Sequence, residues 1–343
     1  MKRGAVPAPR ATEAGPEQTE KLVAEVLSGD RRALARAITL IESTRPGHRP
    51  AAEALLEALL PHSGGALRIG ISGSPGVGKS TLVERLGLQL VEAGHRLAVL
   101  AVDPSSPRSK GSILGDKTRM ESLAAHADTF IRPSPSGGSL GGVARRTREA
   151  LLACEAAGFD IVIVETVGVG QSEVAVADMV DVFVLLLQPG SGDVLQGLKK
   201  GIVELADLVL VNKADGELES AASRAAADYQ EALQLLRPAT PHWRPRVLKC
   251  SALTGQGLAE IWAALQEHRK ALEEAGALAH KRAGQARAWF WKELGESLLA
   301  ALRAQPGVEA ELARLEAEVA AGTLAPAAAV RRLLAAQLPG PSP

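Results

Sequence analysis

The segment "LRIGISGSPGVGKSTLVERLGLQLVEAG", residues 67–94, decides how the rest of the chain is read. A short run rich in Leu and Ile breaks into a glycine-rich loop, and a helical stretch follows. Within it, Gly73–Ser80 spells G-x-x-x-x-G-K-S. Strand before and helix after give this spacing its meaning, because a loop at a helix N-terminus presents backbone N–H groups and a favourable dipole to an anion. Gly73, Gly76 and Gly78 let the backbone turn those N–H groups toward a phosphate chain. Ser74, Pro75 and Val77 complete the loop, and Thr81 continues the first helical turn. In such a loop the lysine, Lys79, bridges the β- and γ-phosphates, and the hydroxyl of Ser80 ligates Mg²⁺.

Working outward, residues 65–256 alternate helical stretches with short Val/Ile/Leu-rich runs: LRIGIS, RLAVLAV, DTFIR, DIVIVE, DVFVLLL, DLVLVN and RVLKCS. They scarcely alternate in polarity, as expected of parallel strands covered on both faces. The expected fold class is therefore α/β, a doubly wound, mostly parallel P-loop sheet. Residues 1–17, rich in Pro, Ala and charge, read as a disordered tail. Residues 18–64 read as a helical extension, with Asp30 as N-cap of a helix burying Leu34, Ile38 and Ile41, and a second helix following Pro50. Residues 257–343 read as a C-terminal helical extension. There Val308, Leu312, Leu315 and Val319 share one face, and Trp289, Phe290 and Trp291 cluster. So much apolar surface at a chain end predicts a two-fold dimer interface.

Composition excludes several classes. The 343 residues carry 39 Lys+Arg against 39 Asp+Glu, so no basic field exists to hold nucleic acid. Two cysteines, Cys154 and Cys250, form no disulfide framework and suit a reducing compartment. No apolar run reaches membrane-spanning length and the first residues lack a signal-peptide core, so a cytoplasmic location is expected.

The base is read from VNKAD, residues 211–215. A carboxylate only accepts hydrogen bonds. Guanine offers N1–H and a 2-amino group side by side, and adenine does not, so Asp215 selects guanine while Asn212 and Lys213 shape the pocket. KCSAL, residues 249–253, follows the next strand. It places Ser251, Ala252 and Leu253 where a backbone N–H meets guanine O6. In DIVIVETVGVGQSE, residues 160–173, a strand delivers Glu165 toward Mg²⁺. Gly168, three residues on, is placed to donate its N–H to the γ-phosphate. Val169 stands where Ras-like proteins carry a water-orienting Gln, so intrinsic hydrolysis is expected to be slow. Asp103, at the end of the second strand run, and Asp116, in a Gly-flanked loop, point to the same end of the sheet; both also suit capping roles. Arg145, Arg146 and Arg148 read as a solvated face, with phosphate or acyl-CoA contact the alternative.

VDPSSP, GSILGDKTRM, RPSPS, LGGVA, ETVGVGQSE, QPGSGDVLQGLKKG and VNKAD occur together and in order. On these motifs the chain resembles the MeaB/MMAA (ArgK-type) metallochaperone-class P-loop GTPases over roughly residues 20–300. The resemblance implies a homodimer that binds GTP/GDP with Mg²⁺ and docks on an adenosylcobalamin-dependent acyl-CoA mutase, methylmalonyl-CoA mutase or a relative. There it gates adenosylcobalamin loading and helps eject damaged cofactor. An adenosyltransferase is a further implied partner. The resemblance assigns Lys79 and Ser80 to the phosphates and metal, Asp103, Asp116 and Glu165 to the metal, and Asp215 to the base. It makes Gln188–Lys200 a nucleotide-responsive loop, with Asp193 and Lys199 its polar actors; a plain surface loop with solvated lysines is the alternative. Among other classes, a nickel or cobalt metallochaperone needs a Cys/His cluster, and the seven histidines are scattered. A non-catalytic nucleotide-dependent scaffold is separated from a working GTPase by turnover.

Overall fold

The computed structural model describes residues 16–102, 120–133, 140–166, 172–189, 200–236 and 238–337. All seven strand runs become strands of one sheet: β1 (Leu67–Gly73), β2 (Leu97–Val102), β3 (Thr129–Arg132), β4 (Ile161–Thr166), β5 (Val182–Leu187), β6 (Leu208–Val211) and β7 (Arg246–Lys249). The order is β3-β2-β4-β1-β5-β6-β7, and every pairing is parallel. The chain leaves β1 to build β2 and β3 on one side. It returns through β4 and then crosses to β5 on the other. That reversal opens the carboxyl end of β1 as the place where a ligand enters such a sheet.

Period-two alternation sorts the strands' side chains into two cores. Ile69, Ile71, Leu97, Val99, Ile161, Ile163, Val184 and Leu210 pack under the helices Lys79–Glu92 and Leu258–Glu274. Ala98, Leu100, Val162, Val164, Phe183, Leu185 and Val209 pack on the other face with the N-terminal helices and the helix Leu140–Ala156. The helix Leu258–Glu274, which the sequence groups with the C-terminal extension, thus covers the sheet through Leu258, Ile261 and Leu265. At the N-terminus, Asp30 caps the helix Arg31–Ile41 by accepting from the amides of Arg32 and Ala33. Those amide bonds, Ala33's first, hold its carboxyl below the usual 3.8.

Aspartates stand immediately before β4, β5 and β6, and each reaches across to its neighbour. Asp160 Oδ1 accepts from Arg96 N at 2.7 Å, Asp181 Oδ2 from Arg68 N at 2.9 Å and Asp207 Oδ2 from Phe183 N at 2.9 Å. The Arg68 and Phe183 amides are buried, so there the carboxylate closes a hydrogen bond that burial would otherwise leave open; the Arg96 bond is exposed. Asp207 also lies 3.7 Å from His268 Nε2 and 3.6 Å from Lys281 Nζ. Burial by itself would raise its pKa. His268, Lys281 and Thr240 together outweigh that and hold it below 3.8. Arg68 and Glu155, both buried, pair through two 2.8 Å bonds and fasten the helix Leu140–Ala156 to β1.

The chain divides into two compact units, one ending at Lys281 and one beginning at Arg282. In the second unit Val308, Leu315, Ala329 and Leu333 form a small core with Leu302, Leu312, Val319 and Leu324 around it. Of the apolar face at Val308–Val319, expected from the sequence to meet a second subunit, Val308 and Leu315 pack in this small core with the helix Pro326–Gln337, and Leu312 and Val319 are only partly buried. Phe290 and Trp291 remain 59% and 64% exposed, and Leu298 and Leu299 are exposed beyond them.

Candidate nucleotide site

The loop between β1 and the helix Lys79–Glu92 has the shape its glycines predict. Gly78, the N-cap, sits at φ +98° in the left-handed region. A Cβ there would fall 2.5 Å from Asn212 Nδ2. A Cβ on Gly73, at φ +153°, would fall 2.5 Å from the carbonyl oxygen of Leu186. Both positions admit only glycine, first for the backbone conformation and again for space. Lys79 is buried, and its ammonium donates to the carbonyls of Gly73 at 2.7 Å and Ser74 at 3.2 Å. The lysine is thereby curled over the concavity of its own loop, with its charge held at the mouth.

Ser80 and Glu165 meet although 85 residues separate them: the serine hydroxyl donates to Glu165 Oε1 at 3.0 Å. The parallel register sets Glu165 opposite Ile71, so β4 delivers its acid beside the phosphate loop. One residue on, Thr166 Oγ1 and Ser72 Oγ bond at 2.9 Å and lock the ends of the two strands together. A hydroxyl and one carboxylate are the modest protein ligand set that Mg²⁺ accepts when phosphate oxygens and water supply the rest. Among the described residues no group of three or more His, Cys, Asp or Glu side chains could hold a metal ion.

The base motifs also converge. Asn212 donates from Nδ2 to the carbonyl of Val77 at 2.8 Å, and its Oδ1 accepts from Ala252 N at 2.9 Å. One buried amide thus joins the phosphate loop, the end of β6 and the loop after β7. Sequence reasoning gave Asn212 to the pocket without seeing this tie, which spans 135 residues on one side and 40 on the other. Of the Ser251–Leu253 backbone groups placed near guanine O6 by the sequence, the Ala252 N–H donates to Asn212 Oδ1 here. Asp215 is half-buried and accepts a hydrogen bond from Ser251 Oγ, and Ser251 Oγ in turn accepts from Thr254 N at 3.1 Å. Ser251 therefore orients the carboxylate. Leu253 is exposed beside it, its carbonyl taken by Arg85 at 3.3 Å. Lys213, in the left-handed region at φ +60°, donates to Gln188 Oε1 at 3.1 Å. Sequence reasoning missed that contact; the only hint was the abrupt Gln188-Pro189-Gly190 end of the β5 run. Cys250, 3.7 Å from Asn212 Oδ1, has its thiol pushed up to about 12 by burial.

Asp103, Asp116, Gly168, Asp193 and Lys199 lie outside the described residues. Of the three arginines read as a solvated face, Arg145 pairs with Glu149 at 3.1 Å. Arg148 is half-buried, and burial first, then Arg68, lowers its pKa.

A seven-stranded parallel sheet with this phosphate loop, a Ser–Glu pair beside it and an N-K-x-D motif tied to the loop defines a P-loop GTPase. Residues 34–307 match the family described as methylmalonyl Co-A mutase-associated GTPase MeaB, and the chain belongs to that family. It is 58% identical over 317 residues to a "Putative GTPase" of Caulobacter vibrioides, covering 92% of this chain and 97% of that one. It is 47% identical to the "Methylmalonic aciduria type A homolog, mitochondrial" of Mus musculus, covering 92% of this chain and 79% of that one. Among solved structures it resembles one titled "Crystal structure of LAO/AO transport system kinase", at 39% identity and a TM-score of 0.75, covering 93% and 97% of the two chains. As a member of this family the protein binds a guanine nucleotide and hydrolyses GTP.

Proposed function

We propose that the protein is the GTP-driven chaperone of an adenosylcobalamin-dependent acyl-CoA mutase, methylmalonyl-CoA mutase or a relative. In this role it gates loading of intact cofactor and release of damaged cofactor. The observation that carries this reading is membership over residues 34–307 in a family whose own description ties it to that mutase.

In this reading Lys79 exchanges the carbonyls of Gly73 and Ser74 for phosphate oxygens, which repay its desolvation better because they are charged. Ser80 and Glu165, with Asp103 and Asp116, would hold Mg²⁺, which would neutralise charge on the phosphates. Ser80 and Glu165, already in contact, would both serve as its protein ligands. Asp215, oriented by Ser251, accepts from guanine N1–H and the 2-amino group. Gly168 and Lys199 act at the γ-phosphate and in the 188–200 loop. The exposed Phe290, Trp291, Leu298 and Leu299 form the contact of a homodimer. Phe290→Glu with Trp291→Glu is expected to turn a sedimenting dimer into a monomer that still binds GTP.

The test is multiple-turnover GTP hydrolysis with and without a purified acyl-CoA mutase, alongside adenosylcobalamin transfer. Slow intrinsic turnover that the mutase stimulates, coupled to transfer, is expected. Equal rates with and without every mutase tried would refute the chaperone role while leaving the GTPase intact.

A further inference from the structure

Lys213 is unusual among the base-site residues. It is a long, unbranched side chain on a left-handed backbone, φ +60°, a conformation uncommon outside Gly, Asn and Asp. Its neighbours explain why it stays there. Asn212 N donates to the carbonyl of Leu187 at 2.8 Å, and Ala214 N donates to that of Cys250 at 3.0 Å. The residues before and after are therefore fixed to two different strand ends, and the turn at Lys213 spans the gap. The side chain is fixed too. Its ammonium donates to Gln188 Oε1 at 3.1 Å, one residue beyond the end of β5. The four-carbon stem thus runs from the base motif toward the end of β5, and both of its ends are held.

We propose that Gln188 is a positioning residue for the guanine side of the site. Its side-chain carbonyl pins the Lys213 ammonium and sets the lysine stem as a wall of the base pocket before nucleotide arrives. Gln188 itself does not touch the nucleotide. A free lysine loses rotamer entropy when a ligand orders it, and one already pinned does not. The benefit concerns the base alone, so it is the same for GTP and GDP. This separates Gln188 from Asp193 and Lys199, which the proposed function places at the phosphate-sensing part of the same loop. The inference rests on the guanine-site reading.

The test uses the full chain. Gln188→Met keeps the shape and removes the acceptor; Gln188→Glu keeps the acceptor. Calorimetric Kd values for GTP and GDP are expected to rise together by about three- to tenfold in Gln188→Met, the size of the rotamer entropy of one long side chain. Gln188→Glu should restore them. The kinetic loss should appear in KM rather than kcat. Lys213→Met should show a comparable loss, and the double variant Gln188→Met/Lys213→Met should lose no more than Lys213→Met alone, as required of two groups acting through one contact. Additive losses, an unchanged Kd in Gln188→Met, or a loss confined to GTP would overturn the proposal. So would a lowered melting temperature of the nucleotide-free Gln188→Met protein with the GTP:GDP affinities unmoved, since that would make the contact structural. Wild-type protein that binds ATP as tightly as GTP would instead remove the guanine reading beneath it.

Discussion

The two ends of the sheet use acidic residues in opposite ways. At the amino end Asp160, Asp181 and Asp207 give their oxygens to backbone amides of neighbouring strands. Two of those bonds, to Arg68 and Phe183, are buried. At the carboxyl end Glu165 and Asp215 accept from serine hydroxyls, Ser80 and Ser251. A hydroxyl rotates and finds other partners at little cost. Stability and function are thereby separated along the strand direction. Where the partner is a backbone amide the acid holds the sheet; where it is a hydroxyl, the proposed function gives the acid to a metal or a base.

The largest expected effect that would break this comparison is at the amino end. Asp207→Ala leaves Lys281, His268 and the Phe183 amide without their carboxylate and should lower unfolding free energy by about 3–5 kcal/mol, as for a broken buried pair. Denaturant midpoints measure it, and GTP affinity of the folded protein should not change. The sign with pH follows from the depressed pKa. Asp207 titrates below 3.8 in the fold and near 3.8 when unfolded, so its contribution is complete above that value and fades as pH falls through the folded pKa. Wild type should lose stability in that acid range more steeply than Asp207→Ala.

At the carboxyl end the order of effects should reverse between stability and binding. Asp215→Asn should cost about 2–4 kcal/mol of GTP affinity, the loss of a charge-assisted pair, with little change in melting. Xanthosine triphosphate should bind the variant better than GTP does, because its 2-oxo group accepts from an amide. Unchanged GTP binding in this variant would place the base elsewhere. Ser80→Ala should act mainly on Mg²⁺-dependent hydrolysis, lowering kcat by about tenfold or more, and EDTA should reproduce the effect in wild type. A magnesium titration unchanged from wild type would exclude the serine as ligand. The smallest expected effect on binding belongs to Lys199→Ala, within about 1.4 kcal/mol of wild-type GTP affinity. It should nonetheless blunt stimulation by the mutase. Equal fold-stimulation in both proteins would show that this lysine relays nothing.

Much of this was legible before any fold was known, and for one reason. Local patterns specify local structure. Gly73–Ser80 carries its own glycines, lysine and serine in eight consecutive positions, and VNKAD carries its acceptor within five, so spacing alone predicts their chemistry. The strand runs declare themselves through Val, Ile and Leu, and all seven became strands. Asp30 likewise announces a helix start by standing just ahead of it.

What the tertiary structure decided is everything that depends on register between distant strands. That Glu165 reaches Ser80 across 85 residues, and that Asn212 spends both ends of its amide on Val77 and Ala252, follows from the order β4-β1-β5-β6. No spacing in the sequence encodes that order. The aspartates before β4, β5 and β6 look alike in sequence to any turn residue; only the pairing shows which amide each one closes. The apolar face at Val308–Val319 was visible as a face, but its partner was not, because periodicity reports that a helix side is buried and not by what. The sequence determined which chemical groups this protein owns. The fold determined which of them are already bonded to each other, and therefore which remain for nucleotide, metal and partner.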